Sequence, residues 1–266
     1  MSQTARLTDR ALISISGPEA RTFLQGLTTN DMESVKPGQP IYTALLTPQG
    51  KILFDFLVFE QDGALLLDVS ASQRDALQKR LTMYRLRAKV DIAARDDLTV
   101  TASWGEAGSD PRHTGLGSRA IVQPGVADGT DDYLAHRLRL GIPESADFGQ
   151  DRMFALDADL DELHGVSFDK GCYVGQELTA RMKHRGTARK RLLPVETVDG
   201  TSLPPVDSNV TVGGREVGSI SSIYGPRGFA LIRLDRLQEA GEAPAEAAGT
   251  MVRIIKPSWL FSPPPA

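Results

Sequence analysis

Between residues 41 and 70 the chain reads IYTALLTPQGKILFDFLVFEQDGALLLDVS, three apolar runs separated only by PQG and QDG. No other stretch restricts the fold as strongly. Each break carries a glycine in a turn setting and each run has the composition of a strand, so neighbouring β-strands are predicted. In the middle run Ile52, Phe54, Phe56 and Val58 fall on one face, and Leu53, Asp55, Leu57 and Phe59 on the other. Asp55 is the single polar group of that alternation. A carboxylate there is costly unless it is hydrogen-bonded or opens on a cleft. It is read either as an edge or locally satisfied side chain, or as part of a site.

The surroundings extend the pattern. Residues 71–84 form a helix with Leu77, Leu81 and Tyr84 on one stripe. Residues 85–95 resume as a strand, so an α+β subdomain is expected, inserted between two halves of another domain. Upstream, a strand precedes a helix in which Ser16 and Glu19 have capping-box spacing and Pro18 suits the first turn. Residues 105–130 read as loop with one strand near RAIVQ, and the following helix stops at Gly141. From about residue 191 the chain is all-β, with hairpin signals at Gly213-Gly214 and at GPRG. QEAGEAPAEAAG reads as a small acidic loop, TMVRIIKPSWL as a last strand, and SPPPA as a tail.

Composition sets the class. The 266 residues suffice for two or three compact domains, and 41% hydrophobic with 24% charged residues is the balance of a folded protein. No apolar run reaches the roughly 20 residues that span a bilayer. The start lacks the pattern of a signal peptide, and one cysteine forms no internal disulfide. A soluble cytoplasmic protein is therefore expected. The net charge of -4 argues against broad nucleic-acid binding and leaves room for a local basic patch.

That one cysteine, Cys172, stands in KGCYVGQELTARMKHRGTARKRL, residues 170–192. Gly171 and Gly175 flank it, Lys170 precedes it, and a helix starting near Val174 is predicted to end at Gly186 in a left-handed cap. A helix N-terminus and an ammonium both favour a thiolate, which is a nucleophile and a soft-metal ligand. The competing reading is a small apolar filler. One cysteine cannot supply a complete thiolate site for zinc or iron–sulfur, and His113, His136, His164 and His184 lack ligand spacing. A cluster at Cys172 would need ligands from a partner. Between Leu178 and Val195 stand seven basic residues, His184 included, and no acid. They read as a solvated cationic face or as an anion site facing an acidic partner or a carboxylate.

KGCYVGQELTAR, with GVSFDKGCY before it and HRGTARKRLLPV after it, resembles the signature of the YgfZ-type folate-binding proteins and their iron–sulfur assembly relatives. Weaker agreement runs through FLQGLTTND, LLTPQGKILFDF, YRLRAKVDI, LRLGIPE and GFALIRL. The wider superfamily is that of the glycine-cleavage T-protein, an aminomethyltransferase. The resemblance implies an α+β, three-domain T-protein-like ring. Its split first domain would take residues 1–46 and 118–190, a ferredoxin-like insertion 47–117, and a C-terminal β-barrel 191–266. It implies tetrahydrofolate contacts at Asp55, Arg139, Tyr173, Glu177 and Arg181. Lys170, Gly171, Gly175 and Gln176 would shape the loop and activate the thiolate. Departures are visible: one acid of an acidic pair near Asp55 is absent, no glutamate follows the arginine–leucine pair near LRLGIPE, and Asp159 stands where relatives have asparagine. Glu144, Asp157 and Arg139 are possible ligand contacts that also suit surface charges or local caps.

The expectation is an accessory factor for iron–sulfur cluster assembly or repair. It would be folate-dependent, use Cys172 as reactive thiol and cluster ligand, and work with an A-type iron–sulfur carrier. A tetrahydrofolate-dependent aminomethyl transferase using Asp55 is the alternative, and RNA binding through the basic helix is a third reading.

Overall fold

The structure, a computed structural model, describes residues 2–186 and 189–261. β1 (Gln3–Arg6) and β2 (Arg10–Ser16) lead into α1 (Ala20–Gln25), and the three apolar runs become β3 (Ile41–Leu46), β4 (Ile52–Gln61) and β5 (Ala64–Ser70). With α2 (Arg74–Arg85) and β6 (Asp91–Ala94) they build a five-stranded antiparallel sheet of order β3-β4-β5-β2-β6. Both faces are covered, which is why β4 alternates apolar with apolar. Phe54, Phe56 and Val58 share a core with Leu24 of α1 and with Leu77 and Leu81 of α2. Leu57 belongs to a second core with Tyr42, Leu46 and Leu66.

β7 (Thr99–Trp104) and β8 (Ser118–Val122) pair with β1 in a three-stranded sheet. α3 (Thr130–Leu140) lies against it, the Tyr133 ring edge-on to Trp104 at 5.5 Å. The short α4 (Ser145–Phe148), a series of turns and α5 (Gln176–Arg185) follow. The rest is a closed six-stranded barrel. It is made of β9 (Lys190–Thr197), β10 (Asn209–Val212), β11 (Arg215–Tyr224), β12 (Arg227–Arg233), β13 (Ala245–Ala247) and β14 (Thr250–Ile254). α6 (Leu234–Ala240) sits between β12 and β13, and α7 (Ser258–Phe261) follows β14. Trp259 of α7 donates its indole N–H to the Leu140 carbonyl at 2.9 Å, fastening the barrel to α3.

The fold is the expected α+β arrangement with a C-terminal barrel, but several boundaries differ. The division expected at residue 46 falls inside the β3–β4 hairpin, and β7, placed in the insertion, pairs with β1 and β8. Pairing across the TPQG turn is local and legible, whereas the choice of distant strand partners leaves no local signal. The Ser16–Glu19 capping box does not form, because the Glu19 carboxylate accepts the Lys89 amide at 2.8 Å. Residues 85–90 are not strand; β6 begins only at Asp91. The acidic stretch is partly α6 and β13, and the last strand stops at Ile254. The tail at 262–266 lies outside the described residues.

Phe56, fully buried between the sheet and its helices, tests this core. Phe56→Ala is expected to lower stability by about 3–5 kcal/mol, measured as a shift of the denaturant midpoint.

Candidate functional site

Cys172 is exposed, which removes the packed-filler reading. The segment carrying it is nonetheless held on both sides. Tyr173, next in sequence, is buried in the main core, where burial pushes its hydroxyl up to about 12. Gly175 has φ of +83° and a Cβ there would stand 2.5 Å from the Thr47 carbonyl oxygen. Only glycine lets the TPQG turn and the CYVG turn meet backbone to backbone. Gln176 accepts the Tyr173 amide on its side chain at 3.4 Å, and Thr179 donates to the Gly175 carbonyl at 3.3 Å. A Cβ on Gly171 would meet nothing within 4 Å, so its part in the loop is not a close approach.

Lys170 does not play the role assigned to it. Its buried ammonium donates to the carbonyls of Gln25, Thr28 and Asn30 at 2.7, 2.6 and 2.9 Å. These three bonds use every proton it has and direct it into the turn after α1, not toward the sulfur. Burial lowers its pKa to about 8. Cys172 itself lies four residues before the first residue of α5, outside the helix's own capping turn. Lys170 and Tyr173 are thus the anchors of the loop, the ammonium lying 5.1 Å from the ring centroid.

The basic run divides into paired and free groups. Arg181 pairs with Glu177 at 2.5 Å, both exposed at the surface. Lys183 reaches Asp161 at 3.3 Å, and the half-buried Arg191 reaches Asp161 at 3.0 Å and bonds the Leu156 carbonyl. His184, Arg185, Arg189 and Lys190 are exposed, and none of them pairs with an acid among the described residues. Alongside lies Phe168, 37% exposed, with the Lys183 ammonium 5.1 Å from its ring centroid. It edges a groove of about 420 Å³ shared with Asn30, Ile41 and His164. The sequence reading passed over Phe168, although an aromatic four residues before an exposed thiol was the available signal.

Asp55 is a different matter. It is 1% exposed, accepts from the Tyr42 hydroxyl at 3.0 Å and from Ser145, and burial raises its pKa although Arg10 opposes the shift. The space beside it is filled by arginines. Arg10 and Arg119 grip Asp68 at 2.6 and 2.7 Å; Arg112 and Arg119 share Glu144 at 2.5 and 2.8 Å; Arg112 also holds Asp110 through two bonds of 2.9 and 2.8 Å. Arg137 of α3 bonds Asp147 at 2.7 Å, and Asp147 accepts from Ser222 and Tyr224 of the barrel at 2.6 and 2.9 Å. Burial alone would raise Glu144, but Arg119 and Arg112 hold it well below the usual carboxylate range. Tetrahydrofolate, expected from the sequence resemblance, does not fit at Asp55: both carboxylate oxygens are engaged and ion pairs occupy the neighbouring volume.

The other expected contacts scatter. Arg139 is exposed and lines a groove of about 270 Å³ with Pro194, Glu196 and Arg227, remote in chemistry from Asp55; the buried arginine of α3 is Arg137. Glu144 is neither ligand contact nor surface charge but the centre of the network. Asp157 is buried, and burial outweighs Lys190 and Arg191 to raise it to about 6. Asp159 is fully buried with φ of +62°, and neither carboxylate oxygen has a hydrogen-bond partner of normal geometry, although Arg191 lies 3.6 Å away. Burial raises it well above its ordinary value. The network itself could have been found from the rule applied to Asp55, since Asp68 and Arg119 are equally isolated charges within ALLLDVS and SRAIV.

Comparison with known proteins places these observations. Residues 7–105 match the GCVT N-terminal domain, and residues 189–262 match the CAF17 C-terminal beta-barrel domain. The chain is 33% identical to the iron-sulfur cluster assembly factor IBA57, mitochondrial, of Homo sapiens, over 96% of this chain and 84% of that protein. It is 34% identical to the homologue from Neurospora crassa over 71% of this chain, which spans about half (52%) of that relative. The crystal structure of glycine cleavage system aminomethyltransferase T from Bartonella henselae aligns with a TM-score of 0.75 at 14% identity, covering 97% of this chain and 86% of that one, a likeness of fold. The cytoplasmic expectation is overturned by these relatives, since the human and Neurospora proteins are both named mitochondrial.

Two substitutions test the buried charges. Glu144→Gln strands Arg112 and Arg119 and is expected to cost about 3–5 kcal/mol, whereas Glu177→Gln, at the exposed pair, should change the denaturant midpoint by less than about 0.5 kcal/mol. Asp159→Asn should act in the opposite direction. With its folded pKa raised, Asp159 carries no penalty below the ordinary carboxylate value, and stability falls as pH climbs from there toward the folded pKa. The amide removes that slope, and a gain of about 1–3 kcal/mol at neutral pH is expected, largest at pH 7 and absent near pH 3.

Proposed function

The chain belongs to the family of IBA57-type iron–sulfur cluster assembly factors, and from that premise we propose that it works as an accessory protein that shares a cluster with a partner through Cys172. The observation that carries this reading is an exposed sulfur on an anchored loop leading into α5, whose far end and following strand carry exposed cations without an acidic partner among the described residues. One cysteine supplies one ligand to an iron, and no group of three or more His, Cys, Asp or Glu among the described residues could hold a metal ion. The remaining ligands come from the partner, an A-type iron–sulfur carrier in this proposal. On coordination the Cys172 thiol releases its proton and the sulfur takes a vacated or exchanging position on one iron. His184, Arg185, Arg189 and Lys190 attract an acidic carrier surface, and Phe168 gives the contact an apolar centre.

The aminomethyl-transfer reading lacks support, because its proposed catalytic carboxylate is sealed between Tyr42 and Ser145. Within the basic run, four residues, His184, Arg185, Arg189 and Lys190, lack an acidic partner among the described residues, and Phe168 is the aromatic found alongside the run there, which leaves few stacking surfaces for single-stranded RNA.

The test mixes the full chain anaerobically with a [2Fe–2S]-loaded A-type carrier and records the visible circular dichroism and the elution volume. A co-eluting complex with a changed cluster spectrum is expected. Cys172→Ser, with its melting temperature unchanged, should abolish the spectral change. Identical spectra from wild type and Cys172→Ser would remove the cysteine from the proposal.

A further inference from the structure

The end of α2 carries a second feature that neither the fold nor the cysteine site uses. Leu86 follows the last residue of the helix and is 87% exposed, with φ of +46°. That region of backbone space favours glycine, and a leucine there is strained. Folding gains nothing from this side chain, because it is almost wholly in solvent. One turn earlier Met83 is 62% exposed. Beneath it, Leu53 and Phe54 of β4 and Ala76, Lys79, Arg80 and Met83 of α2 line a groove of about 350 Å³.

The charged residues that line the groove, Lys79 and Arg80, are both cations, and three more cations follow at the end of α2 and in the segment after it. Lys79, Arg85, Arg87 and Lys89 are exposed and Arg80 is partly so, and none of the five forms an ion pair with a described residue. Asp75 is committed to Arg74 and the Glu19 carboxylate accepts the Lys89 backbone amide, while the exposed Asp91 lies two residues beyond Lys89 at the start of β6. In a chain of net charge -4 this is a local excess of cations on a face that also exposes its apolar side chains. Elsewhere at the surface the arginines of this molecule are commonly paired, as Arg74, Arg95 and Arg233 are.

We propose that this face is a docking surface for an acidic segment of a partner protein, which seats one large apolar side chain in the α2–β4 groove while Leu86 and Met83 press into the partner. The groove decides for a protein over a membrane. A bilayer offers a flat boundary and fills no concavity, whereas a peptide side chain of leucine or phenylalanine size does. The five cations supply the complementary charge and the on-rate, and the strained leucine supplies the anchor. The proposal does not draw on Cys172. Its face is joined to the cysteine loop through β4, whose leading turn at Gly50 packs on Gly175 and which reaches the groove at Leu53, and through Gln150, which lines the groove and donates to the Leu53 carbonyl at 3.1 Å.

The experiment places a benzophenone amino acid at position 83 or 86 of the full chain, with position 256 as control, and photo-crosslinks in a mitochondrial extract with sequencing of the joined peptides. Crosslinks from both positions to one acidic segment are expected, reduced at least tenfold by Arg85→Glu with Arg87→Glu and unchanged by Cys172→Ser. The charge-reversal variant involves only exposed side chains, and an unaltered melting temperature shows that it folds. Yields indifferent to charge reversal, or no product above the control, overturn the proposal. So does binding to cardiolipin-containing vesicles that Leu86→Ser abolishes, if no peptide crosslink is found, since that would make the face a lipid-binding one. Loss of the crosslinks in Cys172→Ser would show instead that contact here follows from the cluster site.

Discussion

Four guanidinium groups, those of Arg10, Arg112, Arg119 and Arg137, are buried against the carboxylates of Asp68, Asp110, Glu144 and Asp147 where the two sheets meet the barrel. Each charge withdrawn from water is costly, and a well-packed apolar core of equal volume would do no worse for stability. What such a network provides is uniqueness of placement. β2, β5, β8, α3 and α4 each contribute a charge that is tolerable only when its partners from the other elements stand within hydrogen-bond reach. Through Asp147 the barrel is drawn into the same requirement by Ser222 and Tyr224. The relative positions of the sheets and barrel are therefore set by polar geometry, with the apolar cores filling in around it.

The same network decides what chemistry remains available. The resemblance to the glycine-cleavage T-protein leads to the expectation of a folate opening beside the strand that carries Asp55. Here four carboxylates already balance four guanidiniums, so Asp55 is a carboxylate in excess. Burial raises its pKa, and Arg10 and the two hydroxyl donors, Ser145 and Tyr42, only partly offset that. An acid that is held by neighbours and shut from solvent positions the scaffold and does not meet a substrate. What stays open to solvent is Cys172, on a loop whose backbone is fixed by Gly175 against Thr47 and by Lys170 against the turn after α1.

Local features of this arrangement were legible from the amino-acid sequence. The β3–β4–β5 meander follows from alternation and turn glycines, and Gly186 closes α5 in the left-handed conformation that its position suggests. Exposure of Cys172 was one of two open readings. Features that depend on distant partners were not legible. Lys170 reads as an activating cation because Cys172 is two residues away, yet its carbonyl acceptors lie 140 to 145 residues earlier and no spacing rule reaches them. Arg137 and Arg139 read alike in the last turn of α3, and it is Arg137 that is buried, bonded to Asp147. Asp159 is the case where the sequence pointed at a departure and the structure gives it a physical form: a carboxylate enclosed without a donor at an asparagine position.

A single exposed thiol is poorly suited to storing a cluster and well suited to handling one. Storage requires that one protein satisfy most of the iron valences, and this chain brings one sulfur with no supporting cluster of ligands among the described residues. A ligand set divided between two proteins ties cluster stability to the lifetime of their complex. In the proposed complex that lifetime would be set by the contact surface, with the exposed cations at the end of α5 hastening encounter and the Phe168 ring adding contact area. An anchored loop matters in this setting because a sulfur already held in place loses little freedom when it binds, so more of the contact energy remains for exchanging ligands on iron. The rigid interior and the open cysteine are in this sense one design, since the loop inherits its fixed position from elements that the buried arginines hold in register.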